Sequence, residues 1–400
     1  EESKVLFVGY GVQALEFEWD DFKSSDVKGK TLIVLVNDPP VPDQEAPGQL
    51  DVGVFGGKAM TYYGRWTYKF EVAAKMGAAA CFIVHEATAA GYPWQVVKRG
   101  WGGEQFGLVR EDKNRSRCDI EGWLTYKAAQ RMFRLAGRDL EELRQAAIDR
   151  KFKPIPLEIE ASVSILNSFR TIHSNNVIAR LVGSDPVLRN EHVVYTAHWD
   201  HLGQDPKLEP DKIFNGAIDN ASGTAGLIEI AAAFSQLKTP PRRSLLFLAL
   251  TAEEQGLLGS QYYTENPIYP LAQTVAAINM DAMNVFGKTK DVTVVGMGKS
   301  TLDDTIRVCA SEQGRIIRPD PEPEKGFFYR SDHFNFAKQG VPALYLAPGV
   351  DYLDRPKEWG LRMREQYTLE DYHTPSDEVD PNWDLSGLVQ DLQLLFSVGY

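Results

Sequence analysis

The chain has 400 residues, 43% of them hydrophobic and 24% charged, an ordinary globular composition with length enough for two or three domains that each bury a core. A formal net charge of -12 argues against binding a nucleic-acid backbone, which needs clustered Lys and Arg. Three cysteines without a CxxC pair exclude a disulfide framework and a thiolate zinc site, and no apolar run reaches the ~18 residues that a membrane-spanning helix requires.

In chain order, "KVLFVGYG" and "KTLIVLVNDPP" read as strands. The first is followed by Gly9-x-Gly11-x-x-Ala14, which imitates a dinucleotide fingerprint. Glu16, Glu18, Asp20 and Asp21 crowd the place where a pyrophosphate would sit, so that reading is set aside. "YKFEVAAKMGAAACFIVHE" reads as a helix that gives way at Gly77 to a strand, with Cys81 buried in it. "TYKAAQRMFRLAG" and "DLEELRQAAIDRKF" are helical, with Gly137 at a C-cap position. Pro154 and Pro156 in "KFKPIPLE" mark a boundary. The expected division is a smaller α+β domain over 1–155 and a second domain over 156–400.

Beyond that boundary strands and helices alternate. "VVYTA" is a strand, and "SGTAGLIEIAAAFSQL" a helix with Ser222 as its N-cap. "SLLFLAL" is a continuous apolar strand of the kind found in a sheet covered on both faces. "LLGSQYYTE" is helical, "TVAAINM" and "DVTVVGMG" are strands, "TLDDTIRVCASEQG" is a helix, and "VPALYLA" is a late strand. The pattern predicts a doubly wound α/β domain with a mostly parallel sheet, a class that binds ligands outside the carboxyl ends of its strands. The chain opens at Glu1 without Met and stops inside an apolar helical pattern, so both ends read as trimmed.

Those strand ends carry the chemistry. His198, Asp200 and His201 follow "VVYTA"; Asp219 precedes the small-residue helix; Glu253 and Glu254 follow "SLLFLALTA"; Asp281 follows "TVAAINM"; His373 lies in the late loop "DYHTPSDEVD". Taken singly, each is more often a solvated loop residue, a helix cap or a structural histidine. Together they place imidazole nitrogen and carboxylate oxygen at one edge of one sheet, a donor mixture suited to Zn²⁺. Even two of these His with three of the carboxylates exceed what one catalytic zinc needs and suit two metals sharing a bridging carboxylate. Adjacent glutamates cannot point alike at one ion, so one can bind metal while the other handles a proton.

"TAHWDHLG", "NGAIDNASGTAGLIEIA", "LALTAEEQGLLGS", "NMDAMN" and "YHTPSDEVD" resemble, in order, the five motifs of the co-catalytic zinc aminopeptidases, a family that includes glutamate carboxypeptidase relatives. The resemblance covers 156–400. "GRWTYKFEVAAKMGAAACFIVHE" makes 1–155 resemble the protease-associated domain inserted in many members, while the helical segment that opens the family's catalytic domain has no counterpart here. The resemblance implies that His198 and Asp281 hold one zinc, that Glu254 and His373 hold a second, and that Asp219 bridges them. It further implies Glu253 as the general base acting through a metal-bridging hydroxide, Asp200 as the group that fixes the His198 ring, and a cis bond at Asp219-Asn220. His201 matches no ligand position and reads as a structural residue or pocket wall. Tyr329, in "FFYRSDHF", stands for a carbonyl-polarising tyrosine of some relatives, although its offset departs from their pattern; Asp332 and His333 read as pocket or loop residues.

The expected activity is therefore removal of N-terminal residues from peptides, by a secreted or periplasmic enzyme. The alternatives are a carboxypeptidase or dipeptidase on the same scaffold, with Arg330 for the substrate carboxylate, and a non-catalytic receptor of transferrin-receptor-like architecture.

Overall fold

In a computed structural model, which describes residues 2–400, the strand-forming runs assemble into two main sheets, one in each of two units. The first unit comprises 1–171 and 322–329, the second 172–321 and 330–400.

In the first unit, β1 (Glu2–Phe7), β2 (Thr31–Leu35), β3 (Ala80–His85), β4 (Ile120–Thr125) and β5 (Ile155–Ser162) lie in the order β4-β3-β2-β1-β5. All neighbours are parallel except β1 and β5. Alternate side chains leave opposite faces of a strand. Here Phe7, Ile33 and Leu35 pack on one face with Phe133 and Leu140, which come from α2 (Tyr126–Leu135) and α3 (Leu140–Ala146). Leu6, Leu32 and Val34 pack on the other with Phe70 and Val72 of α1 (Trp66–Lys75). Helices thus cover both faces in an α/β arrangement, where segregated α+β layers were expected. The boundary also falls later than 155. Strand β5 runs through Pro156, which pairs with Leu6, because an edge strand tolerates a residue that lacks an N–H.

The second unit holds β6 (Val177–Leu181), β7 (His192–His198), β8 (Ser244–Leu250), β9 (Thr274–Asn279), β10 (Asp291–Val295), β11 (Ile316–Pro319) and β12 (Ala343–Ala347), in the order β11-β10-β12-β9-β7-β8-β6. The block β12-β9-β7-β8 is parallel, so its carboxyl ends share one edge. The chain passes from β7 to β8 on one side and then returns to β9 on the other, which makes the end of β7 a topological switch point. On one face, Leu227, Ile230 and Phe234 of α4 (Gly223–Ser235) pack with Leu394 and Leu395 of the last helix (Ser386–Gly399). On the other face the core takes in Tyr263 and Phe336.

Ser222 does not cap α4. Its own backbone is already helical, its hydroxyl donates to the Ile218 carbonyl, and the Gly223 N–H is taken by the Asn220 side chain at 3.0 Å. Among the described residues no helix is long and apolar enough to cross a membrane.

Candidate metal centre

Three strand ends deliver the site. His198 ends β7, Glu253 and Glu254 follow β8, and Asp281 lies two residues beyond β9. Asp219 enters from the turn before α4, where the Asp219-Asn220 bond is cis, and His373 from a late loop. His198 Nε2 lies 3.2 Å from Asp219 Oδ1 and 3.4 Å from Asp281 Oδ1. His373 Nε2 lies 3.3 Å from Asp219 Oδ2 and 3.0 Å from Glu254 Oε2. Asp219 therefore turns one oxygen to each histidine, the disposition of a bridging carboxylate. All five residues sequence reasoning named as ligands converge, and Glu253 joins them: its carboxylate, His198 and Glu254 can bring ligand atoms within 4.8 Å of one another.

Hydrogen bonds from deeper residues fix these side chains. Asp281 Oδ2 accepts from Ser331, whose oxygen accepts from Asn279 Nδ2 at 2.7 Å, while Asn279 Oδ1 accepts from Thr196 at 2.6 Å. Asp377 takes the N–H groups of Ile218 and Asp219 at 2.9 and 3.1 Å and also the Tyr367 hydroxyl, so one carboxylate from the His373 loop clamps the bridging turn. Asn220 ties that turn to the Asp281 loop, donating to the Met280 carbonyl and accepting from the Ala282 N–H. Ala252 and Ala282, beside Glu253 and Asp281, hold the left-handed conformation that residues with a Cβ avoid, and such strain persists only where neighbours enforce it.

The resemblance implies a carboxylate on the His198 ring. The structure instead places the Asp200 backbone carbonyl 3.0 Å from Nδ1, and the Asp200 carboxylate accepts from the Thr251 hydroxyl and the Ala252 N–H. A metal-ligating imidazole can be oriented through a backbone carbonyl as well as through a carboxylate, so the side chain is released to brace the turn that presents Glu253. Tyr329 belongs to the first unit, where it is buried with its ring 5.9 Å from Tyr62. Asp332 and His333 are fully buried, and the His333 ring lies 4.9 Å from Tyr345.

The electrostatics call for a cation. Asp219, Glu253, Glu254 and Asp281 crowd together, and those with ion pairs have imidazole partners, not Lys or Arg. Burial pushes Glu253 well above the ordinary glutamate range; His198 opposes this, and Glu254 and Asp281 add to it. Burial would also raise Glu254, but His373 and His201 bring it down to about 2. Burial would lower His373, yet Glu254 and Asp219 hold it up at about 10. His198 Nε2, His373 Nε2 and Glu254 Oε1 are buried without a well-formed hydrogen bond. Unsatisfied donor atoms of mixed N and O type that face one another fit zinc.

Sequence reasoning named Asn220 only for the cis bond and did not single out Asp377, Ser331 or Asn279. All four lie inside the stretches "YHTPSDEVD", "FFYRSDHF", "TVAAINM" and "NGAIDNASGTAGLIEIA", so their neighbourhood was marked although their bonds were not.

Residues 176–397 match the family model described as peptidase family M28. Over 175 residues the chain is 31% identical to aminopeptidase NAALADL1 of Rattus norvegicus, a match covering 38% of this chain and 22% of that protein. Over 208 residues it is 28% identical to leupeptin-inactivating enzyme 1 of Streptomyces exfoliatus, covering 51% and 43%. The chain thus spans less than half the length of these curated relatives. Among solved structures, an aminopeptidase from Aneurinibacillus sp. strain AM-1 shares the fold with a TM-score of 0.51 at 21% identity, over 99% of this chain and 73% of that one.

Proposed function

Since the chain belongs to peptidase family M28, we propose that it is a zinc-dependent exopeptidase that removes residues from the free N-termini of peptides. The observation that carries this reading is the two-poled cluster, His198 with Asp281 and His373 with Glu254, joined through the two oxygens of Asp219. The reading includes two zinc ions per chain, one at each pole. Bound zinc would supply Lewis-acid polarisation of the scissile carbonyl and acidification of water.

The chain's own residues do the rest. Glu253, buried beside both poles, accepts a proton from the attacking water and returns it to the departing amine. Burial raises the proton affinity of its carboxyl above that of an exposed glutamate, which suits a group that takes up a proton and returns it. Asp200 braces the turn that carries Glu253, and Asp377 and Asn220 hold the bridging carboxylate in register with Asp281. We further read the first unit as a protease-associated domain and the protein as secreted or periplasmic, both on the strength of the motif resemblance.

The test is incubation with peptides whose ends are free or blocked, with and without a chelator, followed by mass spectrometry. Single residues lost from free N-termini, and stopped by chelation, are expected. Loss from the C-terminus would replace the aminopeptidase with a carboxypeptidase. A fully metallated protein that cleaves nothing would favour the receptor reading.

A further inference from the structure

We infer that His201 is a sixth donor to the metal centre, completing the pole that Glu254 and His373 begin. The inference rests on the metal-centre reading and extends it, because the motif resemblance gives His201 no role there. Three observations carry it. His201 Nδ1 lies 2.8 Å from Glu254 Oε1, and ligand atoms of His201, Asp219 and Glu254 all fall within 4.8 Å of one another. The His201 side chain is only 6% exposed, and apart from the approach of Nδ1 to Glu254 Oε1 its ring nitrogens make no hydrogen bond among the described residues. His201 Nδ1 makes the closest histidine–carboxylate approach of the centre, nearer than the 3.0–3.4 Å contacts of His198 and His373, so it stands in the same relation to Glu254 as the named ligands do to their carboxylates.

The chain also makes room for the ring. Gly216 begins the turn that leads to Asp219, at φ +60, and a Cβ there would stand 2.7 Å from His201 Cγ. The same Cβ would stand 2.3 Å from the Asp219 carbonyl, so glycine at 216 keeps both the bridging turn and the His201 ring in place. The His373 ring stands 5.6 Å from the His201 ring, centroid to centroid, so both imidazoles flank the same carboxylate. The pole then has four protein donors, His201, Glu254, His373 and Asp219, against three at the other, His198, Asp281 and Asp219. Catalytic zinc sites usually keep to three protein ligands and an open position. A fourth donor would make the His201 pole the more retentive of the two.

The test titrates metal-free wild type, His201→Ala and His201→Gln with zinc by calorimetry, then with Co²⁺ followed by visible absorption. Two ions are expected on wild type. Both variants should bind one ion with unchanged affinity, which also certifies their folding. Both should lose more than about 100-fold at the other pole, beyond the ~10–100-fold that loss of a supporting hydrogen bond costs, with a changed Co²⁺ spectrum. If His201→Gln matches wild type while His201→Ala does not, His201 merely donates a hydrogen bond to Glu254 and the inference fails. Wild-type affinity in both variants overturns it as well. Failure of wild type to bind zinc at all would overturn the metal-centre reading together with it.

Discussion

Two neighbouring glutamates are driven in opposite directions by their surroundings: Glu254, facing His373 and His201, is held down at about 2, whereas Glu253 is pushed well above the usual range by burial. This divides the pair into a permanent anion suited to a cation and a carboxyl suited to proton transfer. Glu253→Gln is therefore expected to lower kcat by roughly 10²–10⁴-fold, the usual weight of a general base, with zinc content intact. Glu254→Gln should instead lose one equivalent of zinc. Metal analysis alone decides between them, since loss of zinc from Glu253→Gln would interchange the two roles. Of the five ligand residues, His373, in a late loop, was reached through the motif resemblance, whereas the other four were legible in the sequence because each stands directly after an apolar strand or before a small-residue helix. The role of Asp200 was not, because it depends on which atom faces His198. A backbone carbonyl does so here, and no residue type announces a backbone contact.

The start of α4 shows how an element serves the site. Glycine inside a helix ordinarily costs ~1 kcal/mol relative to alanine, so Gly223→Ala would be expected to stabilise. A Cβ at Gly223, however, would stand 2.2 Å from Asn220 Oδ1 and 2.6 Å from the Met280 carbonyl, the two groups that tie the bridging turn to the Asp281 loop. The clash outweighs the propensity gain. Gly223→Ala should lower the melting temperature and weaken zinc binding at the His198 pole. A stabilised variant with unchanged zinc affinity would show that Asn220 is free to move. The glycine itself was visible in "NASGTAGLIEI", and so was the helix, but Ser222 invited an N-cap assignment that Asn220 in fact fulfils. Tertiary contacts with Met280 and Ala282 decide that matter, and they lie some sixty residues away in sequence. The boundary after β5 was missed for a similar reason: Pro156, a residue that usually breaks structure, sits in an edge strand whose pairing with β1 is set across the whole first unit.

At the scale of the whole molecule, the two units store their charges differently, and this separates their responses to solution conditions. The second unit concentrates carboxylates around its metal poles, so its stability is linked to zinc. Free zinc at ~100 times the dissociation constant adds about 2.7 kcal/mol per site, or about 5.4 kcal/mol for the two proposed sites, which for a unit of this size raises the melting temperature by roughly 10–20 °C. Scanning calorimetry with and without a chelator should show one transition moving by that amount and the other standing still. The first unit instead buries Asp21, Asp38 and Lys69 in its core. Burial pushes both aspartates up to about 6 and Lys69 down to about 8. Between the ordinary aspartate value and 6 the folded unit holds more protons than the unfolded chain, so stability falls as pH rises through that window. From 8 toward the ordinary lysine value it holds fewer protons, so stability rises with pH. Five of the eight tryptophans, Trp19, Trp66, Trp94, Trp101 and Trp123, lie in this unit, and tryptophan fluorescence chiefly follows its unfolding. At fixed zinc the fluorescence melting temperature should fall from about pH 4 to 6, stay level to about 8, and climb above it. Lys69→Met should abolish the climb while leaving the zinc-dependent transition in place. A climb that survives in that variant would locate the alkaline response outside the Asp21, Asp38 and Lys69 cluster.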